Sequence, residues 1–448
     1  MTALMRAPGS REQRFLTALD PDALFLDDML ELIERARVRG PRRRARDGAL
    51  RVLLLGYVGA GNTGADVRAI EVIRQLRRTF ARQAITVTLL AIGDLLDHPE
   101  LAGVHRFVPS TPYLPDALDA ALPDFDLVLN IEGSTYTSRF SDTLAATLIG
   151  GISLADAHGA LACAYGADAG TMTERLSAFV ASSASGALIY CRSRGALERL
   201  GTLGLAPLPG ADPAWRYRAS PNTLPTAPRR FAALCPNNPY WWPVVTDGRR
   251  ALALPRGSAG SPPRHGPFTF HTWDEARARS FARYADGYAL LARALRRRGI
   301  EPVLVAMERG DIAACEAIAA RLPDPPQIVA RPRAAIDTVL STLARACCVV
   351  TTRYHAALFA MAHGVPVFGV SMDERIAQLF DDTQLPECVF ACDDPRFASN
   401  VLERIDADAL RSPERLLNAY AALAATQIER LDGMATRLAD ALEKRKAG

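Results

Sequence analysis

LRVLLLGYVGAGNTGADVRAIEVIRQLRRTF, residues 50–80, decides the fold. Its first seven residues, LRVLLLG, are almost continuously apolar, which predicts a strand buried on both faces rather than one lying on a surface. A glycine-rich turn follows, GYVGAGNTGAD (56–66), and ADVRAIEVIRQLRRTF then reads as a helix. Strand, tight glycine turn and helix in that order form the first unit of a doubly wound parallel sheet.

Working outward, the same grammar recurs. AITVTLLAI, DLVLNIE, GALACAYG and ASGALIYC are further strands, and a Pro-rich break at 207–230 closes this half. RFAALCP opens a second half. After it come a helix at 273–298, EPVLVAM, a helix at 310–321, QIVA, CCVVTT, a helix from 354, and VPVFGV. Between RFAALCP and the first of these helices lies an insert, 236–272, rich in Gly, Pro and Trp. It is too long for a simple connection and reads as a binding loop or lid. The expected architecture is α/β, with two Rossmann-like domains facing a cleft in a glycosyltransferase-B-like arrangement. Its parts are an N-terminal helical extension with a basic linker (1–48), a first domain (49–215), a linker (216–230), a second domain (231–395) and C-terminal helices (396–448).

Composition narrows the setting. A net charge of +4 on 448 residues is too small to argue for nucleic acid, and no nucleic-acid partner is expected. Lys444 and Lys446 are the only lysines, so the basic residues are nearly all arginine. The eight cysteines contain no C-x-x-C pair, which reads as buried thiols in a reducing compartment and gives no metal site. No stretch of 18 uninterrupted apolar residues exists, and the N-terminus has no signal-peptide core. A cytoplasmic protein is expected, with membrane contact peripheral at most and homo-oligomerisation open.

Five strand-end loops carry the candidate chemistry. In the first, Gly59, Gly61 and Gly64 with Asn62 at a helix start suit backbone contact with an anion. A purely structural turn and a nicotinamide site are the alternatives, the latter weakened because Asp94 lies thirty residues beyond Gly64. The second, NIEGSTYTSRFSD (130–142), offers Ser134 and Thr135 either to a ligand or as helix caps. The third places Arg192 and Arg194 after a strand, with ADPAW (211–215) a candidate for the same cleft. Arginine suits carboxylate and phosphate because its fork donates two parallel hydrogen bonds. The fourth sets Glu308 at a strand end and Asp311 as a helix cap. The fifth, TTRYHA (351–356), sets Arg353 and His355 at a strand–helix joint, with Arg375 following the next strand. The other six histidines read as structural.

Taken in order, these pieces resemble the polysaccharide pyruvyl transferase family: G-Y-V-G-A-G-N-T-G, I-E-G-S-T, the Arg192–Gly204 segment, A-D-P-A-W, R-Y-H-A and G-V-P-V-F-G-V-S-M-D-E-R. The resemblance implies transfer of the pyruvyl group of phosphoenolpyruvate to a sugar-containing acceptor as a ketal. Phosphoenolpyruvate would be a co-substrate, with no further cofactor and no metal. It implies His355 as catalytic acid or base, and Arg192, Arg353 and Arg375 as binders of the donor's phosphate and carboxylate. A nucleotide-sugar glycosyltransferase and a catalytically silent saccharide-binding member are the alternatives.

Overall fold

Strand β1 (Leu50–Val58) pairs in parallel with the strand at Ile85–Ala91 on one side and the strand at Leu127–Asn130 on the other, so the order of the first sheet reverses around it. The computed structural model describes residues 10–41, 48–184, 186–218, 230–244, 246, 264–265, 268–269, 273–332 and 334–447. Two helices come first, α1 (Arg11–Thr17) and α2 (Pro21–Arg39). After β1 the chain runs through α3 (Thr63–Thr79), β2 (Ile85–Ala91), β3 (His105–Arg106), α4 (Leu114–Ala121) and β4 (Leu127–Asn130). It continues through α5 (Asp142–Ala157), β5 (Leu161–Ala167), α6 (Glu174–Ser182), β6 (Leu188–Cys191), α7 (Arg194–Thr202) and β7 (Leu208–Pro209). The seven strands lie in the order β3-β2-β1-β4-β5-β6-β7. Polar caps start the helices as the sequence suggests: the side chains of Asn62, Ser141, Thr173 and Ser193 accept backbone N–H groups at the starts of α3, α5, α6 and α7.

The second half repeats the plan. Strand β8 (Phe231–Cys235) is wholly buried, and a two-residue-strand hairpin, β9 (Arg264–His265) with β10 (Phe268–Thr269), lies in the insert. Then follow α8 (Glu275–Arg297), β11 (Glu301–Ala306), α9 (Ile312–Ala319), β12 (Gln327–Ala330), α10 (Ile336–Arg345), β13 (Cys348–Thr351), α11 (Tyr354–Ala362), β14 (Val367–Ser371), α12 (Glu374–Asp382) and β15 (Val389–Ala391). The parallel sheet has the order β12-β11-β8-β13-β14-β15, so β8 is its point of reversal as β1 is in the first. Ligands of such sheets bind outside the carboxyl ends of the strands at the reversal point. Here the two reversal points face each other. The backbone N–H and hydroxyl of Thr63, at the start of α3, donate to the carbonyl of Met307 just past β11, at 2.9 and 2.6 Å.

The terminal helices are built into this frame. Helix α2 buries Phe25, Met29, Leu32 and Ile33 in one core with α5. The contact is close enough that a Cβ on Gly150 would sit 2.3 Å from Met29 Cγ. After α13 (Phe397–Arg404), the long helix α14 (Glu414–Ala447) returns to the first domain, where Leu431 accepts from Gln75 at 2.7 Å and Arg445 pairs with Asp156 at 2.7 Å.

Candidate active site

A cavity of about 390 Å³ opens between the two sheets. It is lined by Asn62, Gly64, Ser134, Glu308, Arg353, His355 and Arg375 among the residues singled out from sequence. Gly59, Gly61, Thr135 and Arg192 do not line it. Gly59 and Gly61 serve the turn itself, with φ of +86° and +72°, and a Cβ on Gly59 would meet the backbone of Gly93 at 2.8 Å. Thr135 is fully buried and donates to the carbonyl of Glu132 at 2.6 Å, holding its own loop.

Gly64 has a different task. Its missing side chain leaves room for the His355 ring: a Cβ there would lie 2.0 Å from His355 Nδ1. Nδ1 is thus the nitrogen packed against the amino end of α3. On the other side, Nε2 lies 3.3 Å from Oδ2 of Asp212, without the alignment of a full hydrogen bond. Asp212 begins the short 3-10 turn Pro213–Arg216 and is fully buried. Burial alone would raise its carboxyl, but Arg68, His355 and Arg192 hold it well below the usual carboxylate range. Burial pushes the His355 imidazole below its ordinary value; Asp212 draws it up, and Arg192 and Arg68 push it further down. A ring held in this way favours its neutral form, with Nε2 turned to a carboxylate.

Arg192, expected as a direct ligand of the donor, lies deep in the protein. It is 2% exposed; its Nε donates to Asp168 at 2.9 Å and its Nη1 to Asp212 at 2.8 Å. Its Cζ lies 3.8 Å from the centre of the Tyr354 ring, and a Cβ on Gly133 would collide with Nη1 at 2.3 Å. Arg192 therefore lies beneath the floor of the cavity and braces Asp212. Arg68, also fully buried, braces it from α3 at 2.5 Å while donating to the carbonyls of Ile131 and Tyr165 at 2.8 and 2.9 Å. The sequence reading missed Arg68 and Asp168. The available signal was one arginine inside the apolar stretch V-R-A-I at the start of a helix. Arg194, by contrast, is exposed and faces Glu198.

The arginines that do line the cavity are held by carboxylates. Arg353 Nε donates to both oxygens of Asp311 at 3.1 and 2.9 Å, and its Nη2 bonds Glu308 and Asp311. Asp311 caps the next helix jointly with Glu308, as expected, and also orients Arg353. Burial pushes the Asp311 carboxyl up to about 7 against the pull of Arg353. Asn62 donates to Glu308 from across the cleft. Arg375 is clamped by Asp373 at 2.9 and 2.7 Å, reaches the Ser134 hydroxyl at 3.0 Å, and lies over the Phe140 ring. Tyr57, Arg106 and Glu132 complete the polar lining, and sequence gave no sign of Arg106, which sits in a two-residue strand.

The insert contributes a wall. Trp242 and Val244 line the cavity; the Trp242 ring meets Phe140 edge-on at 5.0 Å, and Val244 N–H donates to the Phe140 carbonyl at 3.1 Å. Trp241 packs instead on Trp273, with ring centres 6.2 Å apart. Residues 247–263 of the insert lie outside the described residues. Among the described residues no cluster of His, Cys, Asp and Glu could hold a metal ion, and no helix is long and apolar enough to cross a membrane.

Comparison with known proteins agrees with this frame. S. aureus MnaA in complex with UDP is 9% identical, with a TM-score of 0.50 over 83% of this chain and 90% of that one. A glycosyltransferase from Rickettsia africae is 11% identical, with a TM-score of 0.50 over 89% of this chain and 99% of that one. At such identities the likeness is one of fold, and the fold is glycosyltransferase-B-like. No protein of curated function matches the chain in sequence. Residues 98–374 match the polysaccharide pyruvyl transferase family, a span that holds Ser134, Arg192, Glu308, Arg353 and His355 and stops just short of Arg375. Since that span is well over half of the 448 residues, the chain belongs to the polysaccharide pyruvyl transferase family.

Proposed function

We propose that the cavity transfers the pyruvyl group of phosphoenolpyruvate to a saccharide acceptor as a ketal. The observation that carries this reading is that His355, Arg353 and Arg375 line one cavity. A small donor bearing both a phosphate and a carboxylate asks for two or more cations close together, and Arg353, Arg375 and Arg106 meet that need. His355, kept neutral by burial, would take the proton of an acceptor hydroxyl as it adds to the central carbon of the donor. The proton that His355 takes up is passed on to the donor's methylene, which becomes the methyl group. A second acceptor hydroxyl then displaces phosphate, which leaves with that hydroxyl's proton. The arginines would steady the departing phosphate. The reaction so written needs no further cofactor. Eight unpaired cysteines support a reducing, cytoplasmic setting for it.

The test is incubation with phosphoenolpyruvate labelled in its carbon frame and a panel of saccharides and nucleotide sugars. Release of inorganic phosphate together with label in an acid-labile saccharide adduct is the expected result. Consumption of a nucleotide sugar with the labelled donor left intact would overturn the reading in favour of glycosyl transfer.

A further inference from the structure

The cavity is divided by chemistry. Most of its charged groups line it with His355, while the remainder is walled by Leu90 near the end of β2, Phe107 after β3, Leu114 at the start of α4, Leu144 and Leu148 on α5, and Trp242, with Arg106 beside Phe107 bonded to Asp94 at 3.3 Å. The polar groups along this wall are already bonded within the protein. Thr147 Oγ1 donates to the Thr143 carbonyl at 2.9 Å, Thr143 Oγ1 donates to Asp22 in α2, and Ser141 Oγ caps α5 by accepting from Leu144 N–H at 3.4 Å. A sugar ring carries a hydroxyl on nearly every carbon, and each loses hydrogen bonds to water when it enters such a place. Water does no better there, since an ordered molecule needs two to four polar partners. What gains by entering is apolar surface.

The geometry points to an acceptor that carries an apolar aglycone, alkyl or aryl, seated against the α4–α5 wall while its sugar hydroxyls face His355. This rests on the reading of the cavity as the acceptor side of a pyruvyl transfer. The ring beside the reacting hydroxyls would then be fixed from both ends: by polar contacts to Glu132 and Glu308 on the floor, and by burial of the aglycone beyond.

The test uses three glycosides of one sugar, methyl, octyl and phenyl β-D-glucoside, titrated by calorimetry below the micelle concentration. Binding to wild-type protein is compared with Leu144→Gln and Leu90→Gln, two half-buried positions where a polar side chain can reach solvent. The expected result is octyl or phenyl glucoside binding at least about tenfold tighter than methyl glucoside, with the advantage cut in both variants. Which of the two binds tighter distinguishes an alkyl from an aryl occupant. Equal affinity of all three glycosides overturns the proposal, as does an advantage that persists in both folded variants, because the aglycone then binds elsewhere. Should one variant fail to fold, the other and the wild-type comparison still decide. His355→Gln should keep the aglycone preference while losing turnover. Loss of the preference in that variant would refute this subsite, and absence of phosphoenolpyruvate turnover by the wild type with the preference intact would refute the reaction.

Discussion

At the residue scale, the proposed reaction rests on how one histidine is held. His355 sits between a glycine from one domain and a buried carboxylate that two arginines hold ionised. Replacing it with glutamine should cost about 100- to 10,000-fold in turnover, the usual loss for an acid–base group, with the melting temperature little changed. Because burial lowers its folded pKa, activity through a neutral base should hold at pH 7 and fall on the acid side, below the ordinary value of about 6.5. The stability linkage has the same sign. The unfolded chain binds this proton first, so the contribution of neutral His355 is present above about 6.5 and lost as pH falls through its lowered folded value. Asp212→Asn removes the upward pull, so the His355 titration, followed by imidazole NMR and assigned with the glutamine variant, should move lower still; an upward move would contradict the account. The R-Y-H joint was legible in sequence because strand ends and helix starts are marked by local pattern. The depth of Arg192 was not, since Asp168 and Asp212 reach it only once β5, β6 and the 213–216 turn are assembled.

At the scale of elements, the glycine turn before α3 matters for what it lets approach. Alanine in place of glycine inside a helix ordinarily adds about 0.5–1 kcal/mol of stability. At Gly64 the added Cβ would fall 2.0 Å from His355 Nδ1, so the ring must swing away. Gly64→Ala should therefore lose most turnover while melting near the wild-type temperature. Adding it to His355→Gln should cost little more, because both changes remove one interaction. A fully additive loss in the double variant would show that the two residues act separately. Sequence correctly located this turn and left its purpose open between anion contact and structure. The answer depends on a side chain almost three hundred residues away, which no local pattern encodes. Edge strands β3, β7 and β15, of two or three residues, were equally invisible because they are too short to show periodicity.

At the scale of the whole molecule, the two domains are pinned across the cleft by Asp66 and Arg331, 2.8 Å apart and both almost fully buried. Removing one partner strands the other without solvent, so Asp66→Ala should lower stability by about 3–5 kcal/mol in urea unfolding. A loss under about 1 kcal/mol would mean that the pair is open to water in solution. The alternation of strands and helices announced both sheets, yet nothing in the C-terminal stretch told that α14 returns to the first domain. Its partners, Gln75 and Asp156, lie hundreds of residues earlier. The proposed reaction requires this cleft to hold phosphoenolpyruvate on its arginines and His355 to act on it. Calorimetric titration of phosphoenolpyruvate into wild-type protein, Arg375→Ala and His355→Gln tests that division of labour directly. Binding to the wild type should weaken about 10- to 100-fold in Arg375→Ala, the worth of a charge-assisted hydrogen bond, and stay within about threefold in His355→Gln. No binding to the wild type, or equal affinity in Arg375→Ala, would contradict it.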